Sequence, residues 1–122
     1  MEAIRTYERY LHITDNVEEI ASVLFNVGKT YDGIGDSIKA DGYYLRILNM
    51  ESLLMKSAKG NPHMKMFLII IKHYMHMDKE AEEEFNILYE KHKADVDSMT
   101  WNRYREVLKV DRMCHYVVRR IQ

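Results

Sequence analysis

His73 and His76 stand three residues apart. On one helix that spacing would let two imidazoles share a face and open a zinc or nickel site. Such a site needs three or four ligands. No Glu-x-x-His or His-Glu-x-x-His pattern accompanies the pair, and the acidic run begins only at Asp78. His12, His63, His92 and His115 are scattered along the chain. The reading is no metal and no cofactor. Cys114 precedes His115, but neighbours on a helix point about 100° apart, so adjacency alone makes no nucleophile and base. A lone cysteine reads as a packed thiol and excludes an intrachain disulfide. No Gly-rich phosphate loop, nucleophile elbow or zinc-protease signature occurs. Glu18-Glu19 and Glu82-Glu83-Glu84 have the spacing of solvated helix faces. The chain is expected not to be an enzyme.

Charge offers a second kind of chemistry. Residues 1–77 balance nine acids against nine bases, whereas Asp78–Asp97 has eight acids and three bases. Met99–Gln122 reverses this, with six bases and two acids. Arg103, Arg105, Lys109 and Arg112, with Trp101 and Tyr104 nearby, would make a strip for nucleic acid. The preferred reading pairs that basic helix with the acidic one before it, which needs no partner.

The elements that must carry these residues follow from composition and period. The 122 residues are 47% hydrophobic and 30% charged, with one proline, five glycines, one cysteine and a net charge of −1. That length can bury a core unaided. Few Gly and Pro exclude collagen-like and most all-β designs. The longest apolar stretch, Met66–Ile71, is too short to span a bilayer, and no signal-peptide pattern opens the chain. Together with the lone cysteine this predicts a cytoplasmic protein without a membrane partner. Apolar residues recur at helical spacing throughout, giving an all-α chain of about six helices. Asp15 or Asn16, Asp36 or Ser37, Asn61 and Asp97-Ser98 are the caps. Gly33, Gly35, Gly60 and Pro62 fall between helices. The segment from Pro62 to Met77 is so apolar that it should be covered on more than one side.

The chain also repeats itself. Ala40, Tyr44 and Ile47 are echoed by Ala81, Phe85 and Leu88, and the first helix offers Ala3, Tyr7 and Tyr10. Lys29-Thr30-Tyr31 is echoed by Lys72-His73-Tyr74, 43 residues later. A small residue lets two helices approach, and an aromatic one turn later fills the space between pairs. Val27, Gly28, Tyr31, Gly35, Asp36, Ala40, Tyr44 and Ile47 together resemble a tetratricopeptide repeat. The resemblance implies antiparallel helix pairs stacked as a short right-handed α-solenoid, a single domain over residues 1–122. Residues 1–15 would be a half repeat, 17–58 the best repeat, 62–94 a degenerate one and 97–122 a capping helix. In the degenerate copy Ile71 stands where a small residue is expected. The long period is similar to that of bacterial peptide-pheromone receptors of the Rap and PlcR type.

That resemblance implies a non-catalytic scaffold whose concave groove binds a peptide or protein segment. Carried over by position, the groove residues are Ser22, Phe25, Asn26, Lys29 and Asp32 in the best repeat. The looser repeat supplies Lys65, Leu68 and Lys72. Lys29 and Lys72 would meet acidic groups, and Asn26 a peptide backbone. An alternative is the sensor or regulatory domain of a transcriptional or quorum-sensing regulator, or nucleic-acid binding by the basic last helix. The unpaired first helix leaves Tyr7, Tyr10 and Leu11 bare, which predicts self-association or packing on further repeats.

Overall fold

A computed structural model describes residues 4–6, 9 and 16–110. All regular structure among them is helical. Tyr7, Tyr10, Leu11, Arg112 and Cys114 lie outside the described residues. The chain divides into two compact units, Met1–Lys59 and Gly60–Gln122, with the boundary at the Gly-Asn-Pro punctuation of the sequence.

The first unit is built on a helix hairpin, α1 (Val17–Gly33) and α2 (Ser37–Leu48), followed by a short α3 (Glu51–Ser57). Asn16 caps α1 by accepting from the N–H groups of Glu18 and Glu19 at 3.0 and 3.1 Å. Asp36 caps α2 through the Lys39 N–H at 3.1 Å. Each satisfies donors that the first helical turn leaves open. Between the two helices the Gly35 N–H donates to Asp32 and the Asp36 N–H to Tyr31. Gly35 takes the left-handed conformation, φ 87°, that this closure requires.

The second unit repeats the plan in α4 (Pro62–Tyr74) and α5 (Asp78–His92), then adds α6 (Ser98–Lys109). Pro62 occupies the first turn of α4 behind the Asn61 cap. The turn after α4 has the same two bonds: His76 N–H to His73, and Met77 N–H to Lys72. Here the left-handed residue is His76, φ 62°. Gly35 and His76 are 41 residues apart, the offset of Ala40 from Ala81, Tyr44 from Phe85 and Ile47 from Leu88. All six helix residues are buried. The register of the repeat is therefore 41 throughout. The 43-residue match of Lys29-Thr30-Tyr31 to Lys72-His73-Tyr74 is a coincidence of composition.

The corrected register changes the residue opposite the small one. In the first unit a Cβ on Gly28 would lie 2.6 Å from the Tyr44 ring, so the glycine permits the helices to approach. Its counterpart at offset 41 is Ile69, not Ile71, and it packs in one cluster with Phe85, Ala81 and Trp101. Gly28→Ala is expected to destabilise the protein by about 1–2 kcal/mol, overpacking outweighing the roughly 1 kcal/mol gain in helix propensity. Urea unfolding measures it.

Two other expectations need correction. The apolar stripe of Ile38, Tyr44, Leu45, Leu48, Leu53 and Leu54, which runs on to the Lys59-Gly60 stop, predicts one helix, but the helix breaks at Asn49-Met50. The break turns Leu54 into the core at 0% exposure and lets Ser57 donate to Glu18 of α1 at 3.1 Å. Ile38, Leu45 and Leu53, which share the apolar stripe of the sequence, are largely exposed in the structure. Secondly, α4 ends at Tyr74, before His76, so the two histidines do not share a helix face. Within α4, Met66, Leu68, Ile69 and Ile71 are all buried, in keeping with the apolar character of that segment.

Candidate functional site

The expected groove residues fall into two groups. Ser22, Phe25, Asn26, Lys29 and Asp32 belong to α1, and Lys65, Leu68 and Lys72 to α4. On α1, Ser22 is exposed and Phe25, Asn26 and Lys29 are half-buried. With Glu18, the residues at 22, 25 and 29 follow steps of four, three and four, so they form one accessible stripe along the helix. The Lys29 ammonium lies 5.2 Å from the Phe25 ring centroid. That contact fixes the charge beside an apolar surface. The Asn26 carbonyl accepts from the Thr30 hydroxyl at 2.8 Å.

Asp32 does not belong to this face. It is 1% exposed, and its Oδ2 accepts from the buried Tyr44 hydroxyl at 2.7 Å. Placing a carboxylate there is sustained by hydrogen bonding within the hairpin. Leu68 is likewise a core residue at 0% exposure.

Lys72 and Lys65 are engaged by α5. The Lys72 ammonium lies 2.6 Å from Glu84 Oε2 and 3.3 Å from Glu80 Oε1, and the residue is 5% exposed. Lys65 pairs with the other oxygen of Glu84. Burial alone would raise the Glu84 pKa. Hydrogen bonds from Lys65 and Lys72, with their charges, outweigh that and hold it below the ordinary glutamate range. Lys72, expected to meet a ligand's acid, thus meets an internal one. Carboxylates of the acidic stretch bond Lys65, Lys72 and His73. Toward the basic last helix, hydrogen bonds from Thr100 and then the charge of Arg103 hold the Asp97 carboxyl below the ordinary aspartate range. Arg112, Arg119 and Arg120 lie outside the described residues.

The expected basic strip is divided. Arg103 is exposed near Met99 Sδ, and Lys109 bonds Glu106 at 3.3 Å. Arg105 instead lies over Tyr89, 4.6 Å from its centroid, and 5.7 Å from that of Phe85. These rings belong to an edge-to-face cluster around buried Trp101, with Phe85, Tyr89 and Tyr104 at 5.9, 5.2 and 6.1 Å. Arg112 lies outside the described residues.

Arg105 opens onto a feature that sequence reasoning missed. A cleft of about 570 Å³ lies at the turn end of the second hairpin, between α5 and α6. Its walls include His73, His76, Asp78, Phe85, Arg105 and Leu108. His73 ties the edge together, its Nδ1 2.9 Å from Asp78 Oδ1 and its Nε2 2.6 Å from the Val110 carbonyl. Among the described residues no three His, Cys, Asp or Glu side chains converge to hold a metal ion. The one signal in sequence was His76, where a turn of this kind usually has glycine. A histidine in the left-handed region is strained. His76→Gly is expected to stabilise the protein by about 0.5–1 kcal/mol, as relief of that strain exceeds the added unfolded-state entropy; thermal unfolding gives the sign.

No family model, curated protein or solved structure matches the chain.

Proposed function

We propose that the chain is a helical-repeat scaffold of the tetratricopeptide type, which binds a peptide or protein segment and catalyses nothing. The observation that carries this reading is the duplicated hairpin: one turn geometry, one alanine–aromatic–aliphatic face and one 41-residue offset, used twice. Duplicated helix pairs are the unit from which binding solenoids are assembled. The recognition face is the α1 stripe of Ser22, Phe25, Asn26 and Lys29, which combines an aromatic surface, an amide and a cation. Asp32, Leu68, Lys65 and Lys72 serve the hairpins themselves and are not assigned to this face.

The test uses substitutions that leave the cores intact. Immobilised wild-type protein and a Ser22→Arg, Lys29→Glu double variant are compared for partner capture, with circular dichroism as the control of folding. The stripe reading predicts a partner retained by the wild type and lost by the variant. Capture of the same partners by both would contradict it. A charge reversal at Lys72 is no substitute, because it would place two carboxylates against each other inside the second unit.

A further inference from the structure

We propose that the cleft between α5 and α6 is a second site, independent of the α1 stripe, which binds a small monocarboxylate bearing an apolar tail. The argument begins with Arg105. Its guanidinium rests on Tyr89 and near Phe85, and its hydrogen-bonding contact is to Asn102 Oδ1 at 3.3 Å. Among the described residues no carboxylate pairs with it. A planar guanidinium held against rings has lost part of its freedom before any ligand arrives, and its paired N–H groups match the two oxygens of a carboxylate.

The remaining walls select the rest of the ligand. Phe85, Ala81 and Leu108 supply apolar surface within the same cleft, and about 570 Å³ is the size of a small-molecule site. Asp78 and Glu82 also line it. Lys109 lines it as well, but its ammonium is engaged by Glu106 at 3.3 Å. With two wall carboxylates and, among the described residues, Arg105 as the cation without a carboxylate partner, one negative charge is the best match and a dianion such as a phosphate monoester is disfavoured. His76 at the rim keeps a strained backbone where glycine would relieve it, a placement that often accompanies a binding edge.

Octanoate is a suitable probe, compared with octanamide and octyl phosphate in titrations of the full chain by amide NMR. Saturable shifts at Phe85, Asn86 and Arg105 are expected with octanoate, with at least about tenfold weaker binding of the other two. Arg105→Gln should weaken octanoate by at least about tenfold, and Arg105→Lys, which keeps charge but loses the planar fork, by less. Equal binding of octanamide overturns the proposal, as does the absence of saturable shifts or an Arg105→Gln affinity equal to the wild type. The acid and amide arms on wild-type protein decide the matter even if the variant alters folding. Failure here leaves the α1 stripe untouched, since that reading is tested at Ser22 and Lys29.

Discussion

Replacing Glu84 with alanine is expected to cost about 2–3 kcal/mol, measured by denaturant unfolding at neutral pH. The basis is the burial of Lys72 at 5% exposure with Glu84 as its nearer carboxylate, 2.6 Å away, while Glu84 also holds Lys65. Breaking a buried ion pair commonly costs about 3–5 kcal/mol because the surviving charge stays in place. The value here is lower because Glu84 keeps some contact with solvent and Glu80 remains 3.3 Å from Lys72. Glu84 also dictates a pH dependence. Its folded pKa lies below its unfolded one, so its stabilisation is fully present above the unfolded value, about 4.3. It is lost as pH falls from there through the folded value. Glu84→Gln should flatten the stability profile in that acid window. An unchanged acid slope in Glu84→Gln would show that the two lysines are held by something else.

Tyr44→Ala should be costlier still, about 4 kcal/mol. The ring is 0% exposed, fills the space that Gly28 leaves, and holds the buried Asp32 through its hydroxyl. Truncation both opens a cavity and removes a hydrogen bond to a buried carboxylate. Tyr44→Phe separates the two, since it keeps the ring and removes the hydroxyl that donates to Asp32; it should cost about 2 kcal/mol, within the range for leaving a buried acceptor without its donor. Phe85 occupies the equivalent place at offset 41 but has no hydroxyl, so Phe85→Ala should show the loss of ring packing without a lost hydrogen bond, about 3 kcal/mol. A Tyr44→Phe variant as stable as the wild type would remove Asp32 from the account of the first hairpin.

The contrast between these two positions shows what a single sequence can disclose. Caps were legible because their chemistry is local: Asn16, Asp36, Asn61 and Asp97 each bond donors two or three residues away. The alanine–aromatic–aliphatic face was legible because helical period fixes it. The break at Asn49-Met50 was not, since neither residue forbids helix and the turn serves Leu54 in a distant contact. Lys72 looked like a surface cation because its partners come from the next helix. Arg105 was read as part of a strip for the same reason: its ring, Tyr89, lies 16 residues earlier. The cleft needed three helices at once, so only the left-handed His76 hinted at it.

The proposal of a binding scaffold is tested most directly by site-specific photocrosslinking. A photoreactive phenylalanine derivative placed at Ser22 on the α1 stripe is compared with one at Glu90, an exposed position on α5. The account predicts a discrete protein adduct from position 22 that is absent from position 90. Adducts of equal yield from both positions, or none from position 22, would contradict it.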